Sequence, residues 1–337
     1  MPTDKTSLLD AATDAFTRGF TPIPIHAGRK APGIMAWEEL QFSGEDRAEQ
    51  LADLREKFSG WYDEGLTNLG ILNGERSGWL VDVDIDHPAA WRLRNHFLPP
   101  TAARHGRPGN GESHYWYRII GDYHPSTRQH RMPSSAVIDG GDSSGLHRVR
   151  GAKAVSVELR STRSQTLIPP SVHDSGETYY WVGEPWGGEE GPAEIEGQQL
   201  AAQVALLGFA AVLLSAWPVQ GQRHEAYNAL SGWLLRQAEG EVSEAWREAL
   251  PGLIAALAEV THDEDGADKR VEESYRTTIS KIMRGAPVTG AGRLSEILGA
   301  DVMTQARVML QEVEQLIGAP SRNAAPASTV TDPATTA

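Results

Sequence analysis

The stretch LVDVDID, residues 80–86, decides how the first half of this chain folds. Its aspartates alternate with aliphatic residues, which is the period of a half-buried β-strand. Side chains two positions apart on a strand lie on one face, so Asp82, Asp84 and Asp86 point the same way. Two carboxylates about 7 Å apart repel each other by roughly 2–3 kcal/mol at an effective dielectric constant near 20. We therefore expect this face either to meet open water or to lie under a cation.

The composition predicts a folded, cytoplasmic protein without thiol chemistry. Of the 337 residues, 40% are hydrophobic and 23% are charged, which is typical of a globular chain with more than one domain. The absence of cysteine excludes disulfides, thiolate zinc sites and a thiol nucleophile. The formal net charge of −14 argues against a protein that coats nucleic acid, yet residues 101–165 carry ten Lys and Arg against five Asp and Glu. A local basic stretch on an acidic protein occurs in enzymes that act on nucleic acid, and it also arises by chance.

The periodicity changes along the chain and predicts an α+β protein in two parts. Residues 1–185 mix short strands with helices, whereas residues 199–318 show helical periodicity only. The segment 186–198 is rich in Gly, Pro and Glu and predicts a linker. Residues 319–337 are small, polar and proline-containing, and predict a disordered tail.

The sequence predicts no membrane segment. Its first 20 residues carry acids where a signal peptide needs a basic region, and their pattern predicts an amphipathic helix. The apolar run 200–217 is just long enough to span a bilayer, but it contains Gln203 and has no basic anchor on either side. We expect this run to form a buried core helix.

The acidic strand has two interpretations. Carboxylates on one strand face suit a hard divalent cation such as Mg²⁺ or Mn²⁺, shared with substrate phosphates. Alternatively, the strand ends in solvent and Asp86 caps the helix that follows. The acidic strand alone leaves both open.

The segment RPGNGESHYWYR, residues 107–118, is the second candidate element. A glycine-rich turn delivers Ser113 and His114 to a strand on which His114 and Arg118 share one face. An imidazole or a guanidinium at that place suits a triphosphate. The alternative is a hydrogen-bonded structural histidine.

The segment SVELRS, residues 156–161, is the third. Alternation places Glu158 and Arg160 on the polar face of a strand. Glu158 would complete a carboxylate set with the aspartates, and Arg160 would meet a phosphate. The alternative is a cross-strand ion pair on the surface.

Together these motifs resemble, in their order, the bifunctional primase–polymerase domain of the archaeo-eukaryotic primase superfamily, which occurs in plasmid, phage and prophage replication proteins. The resemblance covers residues 8–183 and is carried by GRKAPGIMAW, TNLGILNG, SGWLVDVDID, SHYWYR and VELRSTRSQTLIPPSVHDSGETYYW. It implies a catalytic core of mixed or antiparallel sheets with flanking helices. Residues 199–318 resemble, more loosely, the helical module that follows such domains.

The resemblance also implies roles for single residues. In the family, the acidic strand supplies two metal-binding carboxylates, and the matching residues here are a pair among Asp82, Asp84 and Asp86. A later strand supplies a third acid, which corresponds to Glu158 in this chain. The histidine strand contacts the incoming nucleotide, which makes His114 the matching residue. The strand register favours Asp84 and Asp86, although Asp82 with Asp84 stays open.

The chain departs from the family pattern in two of these places. The third acid is often Asp in relatives, so the longer side chain of Glu158 must still reach the metal. The usual Gly-Gly-Arg before the histidine is Gly-Glu-Ser here, and we expect Arg107 to supply the missing guanidinium. Ser113, His114, Arg118, Arg160 and Arg107 are therefore the predicted nucleotide-binding residues.

The function implied is template-directed nucleotidyl transfer by a DNA primase/polymerase, with two Mg²⁺ or Mn²⁺ ions, a single-stranded DNA template and nucleoside triphosphates. The chain contains no G-x-x-x-x-G-K-[ST] motif, so we expect a helicase to be a separate partner. The rival functions are a metal-dependent phosphodiesterase or nuclease, and an inactive replication initiator that binds single-stranded DNA. Repulsion within the acidic strand further predicts that Asp84→Ala abolishes synthesis and leaves the fold intact.

Overall fold

The computed structural model describes residues 3–133, 135, 155–236 and 241–318. The predicted tail 319–337 lies outside these residues. The strands are β1 (Pro22–Ile25), β2 (Asn68–Leu72), β3 (Leu80–Ile85), β4 (Arg104–Arg107), β5 (Gly111–Ile120), β6 (Arg128–Arg131), β7 (Val155–Arg160), β8 (Gln165–Leu167), β9 (Tyr180–Trp181) and β10 (Ala193–Glu196). The helices are α1 (Lys5–Thr17), α2 (Arg47–Asp63), α3 (Pro88–Phe97), α4 (Gly197–Leu214), α5 (Arg223–Leu235), α6 (Glu244–Val260), α7 (Ala267–Arg270), which continues as a π-helix over Val271–Arg276, α8 (Thr277–Met283), α9 (Ala291–Leu298) and α10 (Ala300–Ile317).

The strands form two sheets, and the acidic strand β3 is central in the larger one. The larger sheet has the order β6-β7-β3-β5-β4-β9, with β10 also paired to β5, and the smaller sheet has the order β1-β2-β8. The pairs are antiparallel except for β10 with β5. The predicted α+β class with mixed or antiparallel sheets is therefore confirmed.

Strand β3 is buried on both faces, whereas its alternation predicted a half-buried strand. Every residue from Leu80 to Ile85 is buried. Val81, Val83 and Ile85 pack into a core shared with α3 and α4. The opposite face, which carries the aspartates, is covered by polar side chains of other strands rather than by water.

Helix α3 begins directly after the acidic strand, but Asp86 does not cap it. His87 is the N-cap residue, and its Nδ1 accepts a hydrogen bond of 3.1 Å from the backbone N–H of Ala89. Pro88 occupies the first helical position, as its fixed φ favours. The capping interpretation of Asp86 is therefore wrong, and its carboxylate is left for the site described below.

The segment predicted as a linker, 186–198, is packed against the larger sheet. Trp186 is 1% exposed, and Ala193–Glu196 pairs in parallel with β5. Glycines at 187, 188 and 191 have positive φ values, so the glycine content marks tight turns rather than a flexible connection.

Helix α4 joins the two predicted parts through one hydrophobic core. It is long and apolar enough to span a membrane, but 72% of it is buried inside the protein. It packs on β6, β7 and α3 on one side and on α10 on the other. The expected buried core helix is thus what the structure contains, and the core of the larger sheet continues into the helical part.

Candidate active site

The strand register brings the three sequence motifs together on one face of the larger sheet. On β3, Asp84 lies opposite His114 of β5 on one side and opposite Glu158 of β7 on the other. Two residues earlier, Asp82 lies opposite Arg160. Side chains directly opposite each other on neighbouring strands are within contact distance.

These residues border a cavity of about 310 Å³. Its wall combines acids and bases: the carboxylates are Asp84, Asp86 and Glu158, the cationic side chains are Lys30, Arg107, Arg160 and Arg163, and His114 lies among them. A site of this composition offers ligands for a divalent cation and donors for phosphate oxygens side by side.

Arg160 neutralises the acidic face. Its Nε donates to Glu158 Oε2 at 2.9 Å, and its Nη2 donates to Asp84 Oδ2. Its Nη1 lies 3.6 Å from Asp82 Oδ2. Burial by itself would lower the pKa of Arg160, but the charges of Asp84, Asp82 and Glu158 outweigh burial and raise it. In this structure, the cation that lies over the acidic face is therefore the guanidinium of Arg160.

His114 is held by two of the aspartates. Its Nδ1 lies 2.9 Å from Asp82 Oδ2 and 3.5 Å from Asp84 Oδ1. Thr166, from the smaller sheet, donates its hydroxyl to Asp82 Oδ2 at 2.8 Å. Burial alone would lower the pKa of His114, yet the charges of Asp84 and Asp82 raise it above its ordinary value.

His105 lies beneath His114 and was missed by the sequence reasoning. The two rings are stacked, with centroids 4.3 Å apart and planes 6° apart. His105 Nδ1 accepts from the indole N–H of Trp116 at 2.8 Å, so Nε2 carries the proton and donates to the Leu167 carbonyl at 2.9 Å. Burial, followed by the charge of His114, holds the pKa of His105 well below its ordinary value. Reading residues 104–120 as one hairpin would have put the two histidines on neighbouring strands, but their direct opposition depends on the register shift between His105 and Arg107.

Asp84 and Asp86 differ in charge state. Burial opposes ionisation of Asp84, but Arg160 and His114 outweigh burial and lower its pKa. Burial, and then the charge of Asp84, raises the pKa of Asp86 to about 7. Asp84 Oδ1 is also buried without a hydrogen bond from any described residue. The charge of Asp86 is therefore not fully compensated at the edge of the cavity, which fits a divalent cation.

The three cavity carboxylates are not gathered as a compact ligand set in this structure. Within the described ranges, the one group of three acidic or histidine side chains whose ligand atoms lie within 4.8 Å of one another is Asp263, Glu264 and Asp265. That group lies between α6 and α7, and Arg270 binds it through Asp263 at 2.8 Å and Asp265 at 2.7 Å. In the cavity, the guanidinium of Arg160 occupies the space between Asp84 and Glu158.

Two predicted nucleotide-binding residues do not reach the cavity. Ser113 is 1% exposed and lies on the face of β5 opposite to that of His114. Arg118 is on the same face as His114 but four residues further along, and it donates to the Gly78 carbonyl at 3.2 Å. Arg107 does line the cavity, where it is paired with Glu177. Of the predicted metal ligands, Asp82 is 0% exposed and does not line the cavity.

For two other cavity residues, the sequence analysis predicted no role in the site. Lys30 follows β1, and Arg163 lies in the turn between β7 and β8 with φ of +66°. A left-handed conformation is unfavourable for any residue with a Cβ.

Part of the basic stretch 101–165, namely 134 and 136–154, lies outside the described residues.

A comparison with protein-family models adds an independent finding. The model of Prim-Pol, described as bifunctional DNA primase/polymerase, N-terminal, matches residues 12–197. The match contains every strand of both sheets and every residue named above as lining the cavity. A search of curated proteins gave no match. Because the family model covers more than half of the chain, this protein belongs to the Prim-Pol family of bifunctional DNA primase/polymerase domains.

Proposed function

We propose that this protein is a template-directed nucleotidyltransferase that makes DNA primers or extends them, using single-stranded DNA and nucleoside triphosphates. One observation carries the proposal: Asp84, Asp86 and Glu158 face the same cavity as His114 and four cationic side chains. Nucleotidyl transfer needs carboxylates for a cation and cationic donors for a triphosphate within one site.

The cation we propose is Mg²⁺ or Mn²⁺, with Asp84, Asp86 and Glu158 as its ligands and room for a pair of ions. When bound, such ions activate the attacking 3′-hydroxyl and neutralise the departing pyrophosphate. The raised pKa of Asp86 and the position of all three carboxylates on one cavity support this assignment. Carboxylate oxygens are the ligands that both ions prefer.

The remaining cavity residues supply charge and orientation. Lys30 and Arg163 line the cavity and have no ion pair with any described residue, so both side chains are available to a triphosphate. Arg107 and Arg160 are paired with carboxylates and can exchange part of that pairing for phosphate oxygens. Bidentate guanidinium contacts favour phosphate over a singly charged ligand.

We further propose a cytoplasmic protein of a phage, plasmid or prophage that cooperates with a separate helicase. The absence of cysteine supports a cytoplasmic protein, and the absence of a P-loop motif from the sequence supports a separate helicase. The basic residues of the stretch 101–165 would follow the template backbone, although the overall charge is −14.

A synthesis assay tests the function. Wild-type protein is incubated with single-stranded template, labelled nucleotides and Mn²⁺ or Mg²⁺, beside Asp84→Asn, His114→Ala and the exposed-acid control Asp122→Asn. We expect products with wild type and the control only. Degradation of the template without nucleotides would indicate a nuclease, and metal-independent binding without synthesis would indicate an initiator.

A further inference from the structure

Asp82 differs from the other carboxylates of the acidic strand in what surrounds it. Its side chain is 0% exposed, and it does not line the cavity to which Asp84 and Asp86 contribute. Its Oδ2 accepts two hydrogen bonds, from His114 Nδ1 at 2.9 Å and from the Thr166 hydroxyl at 2.8 Å. A carboxylate that serves two buried donors and has no access to the cavity is poorly placed to exchange ligands with a dissolved cation.

His114 is correspondingly fixed in orientation. Asp82 engages its Nδ1, and the ring of His105 lies flat against it at 4.3 Å. His105 is itself immobilised at both nitrogens by Trp116 and by the Leu167 carbonyl. With Nδ1 engaged, Nε2 is the ring nitrogen left for a ligand in the cavity that His114 lines.

We propose that Asp82 is a positioning residue for His114 rather than a metal ligand, and that it fixes the ring so that Nε2 meets a phosphate of the bound nucleoside triphosphate. This inference rests on the proposed function for its substrate. Carboxylates that hold the far nitrogen of a functional histidine act in this way, since they set both its tautomer and its direction. Thr166 assists by holding the carboxylate from the smaller sheet.

The first test separates the two roles of a carboxylate. Asp82→Asn keeps the shape of the side chain but replaces one acceptor oxygen by a donor. We expect Asp82→Asn to lower kcat/KM for the nucleotide by about 10- to 100-fold, mainly by raising KM. Losses of this size are typical when a residue that orients a functional histidine is changed. The Mn²⁺ concentration for half-maximal binding, measured on the protein alone by electron paramagnetic resonance, stays within about twofold of wild type. Asp84→Asn, two residues away on the same strand, loses Mn²⁺ binding and serves as the matched comparison.

The second test asks whether Asp82 acts through His114. We expect Asp82→Asn combined with His114→Ala to bind the nucleoside triphosphate no more weakly than His114→Ala alone, because the carboxylate has then lost the histidine that it positions. Multiplied losses would show an independent role and would overturn the proposal. Thr166→Val is a milder variant that removes one donor from the same oxygen, and it takes the place of Asp82→Asn if that variant fails to fold. We expect Thr166→Val to lower kcat/KM as well, but by a smaller factor.

The outcomes remain distinguishable if the protein turns out not to polymerise. Mn²⁺ binding and the ¹⁵N signals of the His114 ring are read without any reaction. Unchanged Mn²⁺ binding with altered His114 signals in Asp82→Asn supports the positioning role even where the proposed function fails. Loss of Mn²⁺ binding equal to that of Asp84→Asn, or wild-type His114 signals and kinetics, overturns it.

Discussion

The guanidinium of Arg160 is bonded to the carboxylate of Asp84 across two neighbouring antiparallel strands. The same side chain bonds Glu158 at 2.9 Å. Asp82 and Asp84 are therefore tolerated on a buried strand because a cation from the next strand compensates for them. A divalent ion in the proposed site would compete with this guanidinium for the same oxygens, and several consequences can be measured.

Substitution of Asp84 is expected to destabilise the protein as well as inactivate it. Repulsion within the strand predicted an intact fold for Asp84→Ala, but the structure reverses that expectation, since Arg160 and His114 would keep buried positive charge with less compensation. We expect the free energy of unfolding to fall by roughly 1–3 kcal/mol, because Asp82 and Glu158 still pair with Arg160. Urea unfolding beside Asp122→Asn measures this, and an unchanged midpoint for Asp84→Ala would show that the buried pairs contribute nothing.

Asp86 gives the protein a pH-dependent stability. Its pKa is raised from 3.8 to about 7 in the folded protein by burial and by Asp84, so the folded state holds a proton that the unfolded state has released. The stability that this bound proton contributes is fully present below pH 3.8 and is lost progressively as the pH rises through 7. In the absence of divalent ions, we expect Asp86→Asn to melt above wild type at pH 8, by about 2–4 °C for each kcal/mol removed, and by a clearly smaller margin at pH 5. A difference that is the same at both pH values would contradict the assignment.

Arg160 is expected to trade stability against metal affinity. Arg160→Gln leaves Asp84 and Glu158 without their shared guanidinium, so the variant should unfold more easily in EDTA, and more so at pH 8 than at pH 5. Mn²⁺ should restore part of this loss, since a ligand at 100 times its Kd stabilises by about 2.7 kcal/mol. Arg160→Lys should be intermediate, because an ammonium cannot make the same forked contacts. Equal Mn²⁺-induced shifts of Tm in wild type and Arg160→Gln would argue against competition for these oxygens.

The shared core predicts that the catalytic sheet does not fold without the helical part. A chain ending at residue 197 would expose the apolar face of β7, including Val157 and Leu159, on which α4 packs in the full chain. We expect this fragment to aggregate or to bind a hydrophobic dye, as a sheet with one bare apolar face does. A soluble, cooperatively melting fragment would instead support two independent domains.

The sequence predicted the site where local patterns were sufficient. Alternation placed Asp84, Asp86, Glu158 and Arg160 on strand faces, and the order of motifs indicated the family that the family model then confirmed. Their mutual register did not follow from pattern, because it depends on which strands become neighbours. For the same reason, the composition of 186–198 indicates turns but does not indicate the parallel pairing of Ala193–Glu196 with β5.

The residues that sequence reasoning missed or misplaced depend on tertiary contacts. His105, Lys30 and Arg163 have no local signature of function and reach the cavity only through folding. Arg118 shares a strand face with His114, but the strand carries it beyond the cavity. Asp82 has the same local pattern as Asp84 and both are buried, but only Asp84 lines the cavity.

The most direct test of the whole account is incorporation of labelled nucleotides on single-stranded DNA by purified protein in Mn²⁺. Asp84→Asn and Asp86→Asn are compared with Asp122→Asn, and each reaction is repeated in EDTA. The account predicts template-dependent products from wild type and Asp122→Asn, and none from the two cavity variants or after chelation. Full synthesis by Asp84→Asn, or synthesis that continues in EDTA, would contradict it.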